Sequence, residues 1–291
     1  MTYSKKNIFN KLSITKNQAW LLILNAKSIY KANGLKRKTI TIKKNNYSFV
    51  YDFTKKKIIR KNFSSDDAIQ ELFDIFLPII LNNNKEPYVI GHLAQSLDGF
   101  IATNSGESKY ISCKQNIEHI HRIRAISDVI LVGAKTILYD NPMLTTRLVK
   151  GNNPMRLVLD PRDKIRDNKN IFKNPDKNSF KIIGMNKKNK NEKSFRLPTL
   201  KNNFKANNLL KLFKKLNKRI IFIEGGGYTI SNFYESNLLN RFHLCLSPIL
   251  IGQGKNSFLI KGKRFMRDFK NHKINYYEMG KDILCDIDLT T

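Results

Sequence analysis

Residues 88–94 read YVIGHLA and residues 129–134 read VILVGA, and the reading of these two runs decides the fold. Around them stand QSLDG (95–99), GES (106–108), RIR (122–124) and LYDNPMLTTR (138–147). Neither run alternates polar with apolar, and the first is apolar but for His92, so both read as short strands buried on two faces, the pattern of a parallel sheet. Each ends in small or polar residues, where a turn or a helix start belongs. A polar helix carrying Arg122 and Arg124 joins them, and a shorter one delivers Asp140, Asn141-Pro142 and Arg147. Much further on, IIFIEGGGYTISNFYES (220–236) repeats the scheme: an apolar strand, Glu224 at its carboxyl end, three glycines, then a helix. Several strands that end together in this way form a crevice suited to a dinucleotide and an anion.

Outward from these anchors the chain has room for one large domain with a smaller partner. A hydrophobic fraction of 41% supports a packed core. No apolar run is long enough to cross a bilayer, and the first residues show no apolar stretch followed by a cleavage site. Cys113, Cys245 and Cys285 stand far apart and odd in number, which argues against a disulfide framework or a zinc site and for a reducing cytoplasm. The formal net charge of +30 comes from lysines scattered among asparagines and isoleucines, a compositional bias more than a nucleic-acid footprint. No RNA-binding motif accompanies it, so a nucleic-acid partner is not expected.

Residues 1–85 read as a separate α+β unit: a helix over 16–32, a hairpin over 40–51 turning at 44–46, and a helix over 68–80 begun by Ser64-Ser65-Asp66-Asp67. It carries no cluster of titratable groups and reads as an accessory element. Residues 86–291 alternate strands and helices and close with two alternating segments near 274–279 and 283–289. The expected class is therefore α/β, with a mixed, mainly parallel sheet and helices on both faces. Residues 187–205 are lysine-rich and read as a surface insertion. His119 and His121 read as solvated, and the five histidines show no metal-ligand spacing.

The chemistry-bearing residues gather at the strand ends. Three glycines between a strand and a helix let backbone amides approach a pyrophosphate, although GxGxxG itself is absent. Glu224 there can accept hydrogen bonds from a hydroxyl or amine, or simply pair with a nearby cation. Arg124 and Arg147 flank the same region, and a guanidinium binds phosphate bidentately. Ser108 adds a hydroxyl. Asp98, Thr136 and Asp140 lie near element ends, where they contact a ligand or cap a helix.

Taken together and in order, SLDGFIA, GESKYIS, RIRA, DVILVGAKTILYDNPMLTTR and IEGGGYTISNF resemble the pyrimidine reductase family of riboflavin biosynthesis, from residue 87 onward. The resemblance implies a dihydrofolate reductase-like fold. It also implies NADPH-dependent reduction of the ribose of a 5-amino-6-(5-phosphoribosylamino)pyrimidine to ribityl, and a homodimer. It places Ser108, Arg124, Leu144, Arg147 and Glu224 at substrate-contacting positions, with the arginines suited to the 5′-phosphate. Ala94, Tyr110, Thr136, Asp140 and the turn Gly226, Gly227, Tyr228, Thr229, Ile230, Ser231 and Asn232 fall at cofactor-contacting positions. Pro161 and Arg162 fall at the adenosine end, with Arg162 the candidate for the 2′-phosphate. No residue stands out as an indispensable acid or base; Glu224 and Asp140 are the best candidates. Two departures stand out. Tyr110 replaces a common tryptophan, and residues 1–84 lack the His-Ala-Glu and paired-cysteine signature of the family's deaminase half, so deamination is not expected. The alternatives left open are a reductase of the same fold acting on another pyrimidine or pterin, and a non-catalytic basic RNA-binding protein.

Overall fold

The computed structural model describes residues 12–33, 38–109, 111–186 and 193–290, with the side chains of 31–33 left aside. The chain separates into two compact units, Met1–Asn83 and Asn84–Thr291.

In the first unit, helices Lys16–Asn33 and Asp67–Ile80 accompany a three-stranded antiparallel sheet, Thr39–Lys44, Tyr47–Asp52 and Lys57–Lys61. The Asn45 backbone is left-handed (φ 52°), as the hairpin turn requires. Asp66 caps the second helix by accepting from the Ile69 amide at 2.7 Å. Trp20, Phe49, Phe63, Phe73 and Phe76 fill its interior.

The second unit is built on nine strands. In chain order its elements are β1 (Tyr88–Ser96), β2 (Phe100–Thr103), α1 (Lys114–Ile126), β3 (Val129–Gly133), α2 (Ala134–Asp140), β4 (Met155–Leu159), β5 (Ser179–Gly184) and β6 (Ser194–Leu197). They continue with α3 (Ala206–Lys215), β7 (Ile220–Glu224), α4 (Gly227–Glu235), β8 (Arg241–Ser247), β9 (Gly254–Asn256), β10 (Lys273–Met279) and β11 (Asp282–Asp288). The sheet order is β6-β5-β4-β3-β7-β1-β8-β11-β10; the first seven run parallel, and the terminal hairpin adds β11 antiparallel to β8. The mixed, mainly parallel sheet expected from the apolar runs is thus present. Val129–Val132 and Ile220–Ile223 are wholly buried because helices cover both faces. On one face α3 and α4 contribute Leu209, Phe213, Ile230 and Phe233 to a core with Val89, Leu131 and Ile223. Gly91 lets α4 come close, since a β-carbon there would stand 3.3 Å from Ile230.

The other face carries α1, and its packing corrects the expectation of solvated histidines. His119 is 1% exposed and His121 2% exposed. The polar side of α1 faces the sheet, where polar partners await it. His119 Nε2 lies 3.0 Å from His243 Nδ1, His243 Nε2 lies 3.2 Å from Asp286 Oδ1, and Arg241 holds Asp286 through two hydrogen bonds. His92, from β1, meets Asn116 of α1 at 2.9 Å. The cysteines converge in a way their spacing hides: the Cys113 amide and the Cys245 thiol both meet Asp282, at 2.8 and 3.8 Å, and all three cysteines are free.

Residues 193–205 also differ from a loose insertion. β6 adds an edge strand whose Phe195 and Leu197 pack on the core, and Thr199–Leu200 pairs with Asn203–Phe204. Apolar side chains at alternate positions outweigh the surrounding lysines. Among the described residues no helix is long and apolar enough to cross a membrane.

The buried histidines predict a pH dependence of stability. Burial depresses His92 from 6.5 to about 4, and burial likewise lowers His119 and His243. Between these values the unfolded chain binds protons that the native state refuses, so stability rises with pH across that window. It is fully present above 6.5 and lost as pH falls toward 4. Within this window His92 contributes on the order of 1 kcal/mol per pH unit, and His119 and His243 act in the same direction. Urea midpoints followed by circular dichroism should fall steadily over this range; a flat profile would contradict neutral burial.

Candidate active site

Five parallel strands, β8, β1, β7, β3 and β4, end on the same edge of the sheet, and at the ends of β1, β3 and β7 lies a cleft of about 280 Å³. Of the residues expected at a site, Ala94, Ser108, Thr136, Asp140, Leu144, Glu224 and Gly226 line it. They are joined by His92, Ser112 and Gly225.

The glycine turn is shaped by its backbone. Gly225 and Gly226 take φ of 74° and 75°, a region costly for any side chain, and Gly226 caps α4 without a side-chain hydrogen bond. A β-carbon on Gly227 would fall 1.6 Å from the Ser257 carbonyl oxygen, so the third glycine is demanded by close approach. The Thr136 and Thr229 hydroxyls stand 4.0 and 3.6 Å from the β-carbon positions of Gly225 and Gly226. The turn therefore offers open backbone to the cleft, with the Thr136 hydroxyl beside it and Thr229 buried behind. Beyond Thr229 the helix turns inward. Ile230 joins the core, Ser231 Oγ donates to the Gly227 carbonyl and accepts from the Leu259 amide, and Asn232 donates to the Phe204 carbonyl. Tyr228 is exposed.

Glu224 enters from the end of β7, opposite His92 in the register with β1. Arg124 grips it from α1: Nε donates to Oε2 at 2.8 Å and Nη2 donates to Oε1. The remaining nitrogen, Nη1, donates to the Thr145 carbonyl at 2.9 Å and lies 3.3 Å from His121 Nε2. Every nitrogen of Arg124 is therefore engaged within the protein. Arg147 is freer: Nη1 donates to Thr145 Oγ1 at 2.8 Å, while its amide donates to His121 Nδ1 at 2.9 Å. His121 so becomes the fixed post between the two arginines. Burial, and then the two guanidinium charges, depress it to about 4, so it stays neutral and can accept from the Arg147 amide. Leu144, at φ 54°, marks the sharp bend that brings this segment back to the cleft.

Asp140, at the end of α2, has its carboxyl pushed upward by burial, with Lys255 opposing the shift. Ser108 follows a turn closed by Gly106 N donating to Thr103 O at 2.9 Å. Asp98 does not reach the cleft lining; its carboxylate accepts from the amides of Ile251 and Gly252 and ties the loop after β8 to the turn after β1. Pro161 and Arg162 follow β4, outside the cleft lining but on the same edge, in a turn fastened by Asp160 accepting from the amides of Lys164 and Ile165. Arg162 is exposed. Tyr110 lies outside the described residues.

His92, Asn116, His121 and Thr145 were not singled out as site residues. Only His92 leaves a mark in the sequence, as the lone polar side chain of an apolar run. Among the described residues no group of three or more His, Cys, Asp or Glu is arranged to hold a metal ion.

The family model described as the RibD C-terminal domain matches residues 87–285. Riboflavin biosynthesis protein RibD of Aquifex aeolicus is 26% identical over 226 residues, 75% of this chain and 62% of that protein. The chain thus spans less than two thirds of that relative. The 2,5-diamino-6-ribosylamino-4(3H)-pyrimidinone 5′-phosphate reductase of Archaeoglobus fulgidus is 27% identical over 202 residues, 65% of this chain and 92% of that protein. Among solved structures, Acinetobacter baumannii RibD superposes with a TM-score of 0.60 at 23% identity, covering 76% of this chain and 63% of its own. That likeness concerns the fold, which is dihydrofolate reductase-like. With a match running through all the site-forming turns, the chain belongs to the RibD C-terminal domain family.

Proposed function

We propose that the unit from residue 84 onward reduces the ribose of 5-amino-6-(5-phosphoribosylamino)uracil, or of its diaminopyrimidinone counterpart, to the ribityl form, with NADPH as reductant. One observation carries this reading. A carboxylate locked by Arg124 and the glycine turn that follows it line a single cleft, in a chain that belongs to this family.

The residues fit a dinucleotide. Gly225 and Gly226 leave space that a β-carbon would fill, and Thr136 and Thr229 face the same turn. Gly226, Gly227, Thr136, Asp140 and Ala94 would hold the nicotinamide half, with Arg162 at the 2′-phosphate. The dihydronicotinamide supplies the hydride accepted at C1′ of the ring-opened sugar. The protein's own part is positioning and electrostatics.

On the substrate side, Arg147 is the cation for the 5′-phosphate, because part of its guanidinium remains unspent, and Ser108 adds a hydroxyl. Arg124 acts differently. Three of its five N–H donors go to Glu224 and Thr145 and its charge is paired, so it is a positioning residue that aims Glu224 at the sugar hydroxyls. Asp140, whose carboxyl burial raises, is the side chain best suited to exchange a proton with the substrate. The 1–83 unit is an accessory element in this account.

Two measurements test the reading. A charged hydrogen bond to phosphate is worth about 1.5–3 kcal/mol. Arg147→Ala should therefore raise the KM for the phosphorylated substrate roughly ten- to a hundredfold in an NADPH-oxidation assay. Wild-type protein that binds NADPH yet never oxidises it with this substrate would sink the substrate assignment. Separately, Arg162→Ala should weaken NADPH about tenfold while leaving NADH untouched. Equal losses for both would remove Arg162 from the 2′-phosphate.

A further inference from the structure

The segment 254–257 runs beside residues that line the cleft and is pinned at both ends. Strand β9 pairs with β2, and Gly254 comes so near that a β-carbon would stand 2.2 Å from the Ala102 carbonyl oxygen. At the other end the Ser257 amide donates to the Gly99 carbonyl at 3.0 Å, while the Ser257 carbonyl presses on Gly227. Lys255, between these pins, has a defined place. Its Nζ lies 4.4 Å from the centroid of the Tyr139 ring. It also lies 2.6 Å from where a β-carbon of Gly106 would be. It is close enough to Asp140 to oppose the effect of burial there. The ammonium therefore stands where the turn leading to Ser108 meets the end of α2, on a strap that continues to the glycine turn.

We propose that Lys255 clamps a phosphate of the dinucleotide's diphosphate beside the cleft, a role that rests on the NADPH reading above. Two anions must be neutralised in this site, the sugar phosphate and the diphosphate. Arg124 is already charge-paired with Glu224, so its charge is not free to neutralise either. Arg147 is held on the opposite wall by Thr145 and His121. Lys255 makes no salt bridge among the described residues; an aromatic face and a backbone turn hold it instead. Both aim the ammonium without pairing its charge, and Asp140 feels that charge without forming a salt bridge, so it stays available to an anion. Gly106 belongs to the device: its φ of 93° is costly for a side chain, and a β-carbon there would make Nζ shift.

The test is calorimetric binding of NADPH, and of reduced nicotinamide mononucleotide, which lacks the diphosphate, to wild type, Lys255→Met, Lys255→Arg and Gly106→Ala. Lys255→Met and Gly106→Ala should weaken NADPH about tenfold and flatten the salt dependence of its binding, with the mononucleotide much less affected. Lys255→Arg should restore most of the affinity. Unchanged NADPH affinity in Lys255→Met would overturn the proposal and leave Lys255 as a staple against Tyr139. A raised substrate KM with normal NADPH affinity would overturn it too, moving the lysine to the sugar phosphate. Wild-type protein that binds no NADPH would defeat the cofactor reading itself, and the clamp with it.

Discussion

The site depends on one ion pair, Arg124 with Glu224. It joins α1 to the end of β7 across 100 residues of sequence and is largely buried, with side-chain exposures of 9% and 15%. Removing one partner of such a pair leaves a charge without compensation, at a cost of about 3–5 kcal/mol. Retaining both fixes the carboxylate in one geometry. The other supports converge on it: the Thr145 carbonyl accepts from the last guanidinium nitrogen, and His121 beside it holds the Arg147 backbone. The segment that bends at Leu144 is thereby anchored through the same arginine. Both walls of the cleft are set by contacts reaching this pair.

The polar lining of α1 explains why such an arrangement is tolerable in a core. A helix that turns histidines and arginines toward a sheet would pay heavily for desolvation unless each found a partner. Here His119 finds His243, His92 finds Asn116, and Asp286 is held by Arg241. The face carrying α3 and α4 is by contrast apolar, and it supplies the cohesion. The sheet thus has one face for stability and one that orients side chains toward its carboxyl edge.

How much of this was legible in the sequence follows from distance along the chain. The parallel strands were readable because 88–94, 129–132 and 220–223 are apolar without alternation, a local property. The glycine turn and its helix were equally local, and so was the Asp66 cap of the first unit. The histidine pairs were not, because His119 meets its partner 124 residues away. On a helix read alone, a polar face looks solvated. The engagement of Arg124 was hidden for the same reason, so both arginines looked equally free for a phosphate. The edge strand at 194–197 was masked by lysines, although Phe195 and Leu197 carried the alternation.

The account's central claim is that the cleft sets a reduced nicotinamide against the ribose carbon of a phosphorylated ribosylaminopyrimidine, and isotope transfer tests it most directly. NADPH deuterated at its transferable position would be incubated with the protein and 5-amino-6-(5-phosphoribosylamino)uracil, and the product examined by mass spectrometry and NMR. The account predicts one deuterium, located at C1′ of a ribityl chain. Deuterium in the pyrimidine ring, or a substrate recovered unlabelled after prolonged incubation, would contradict it.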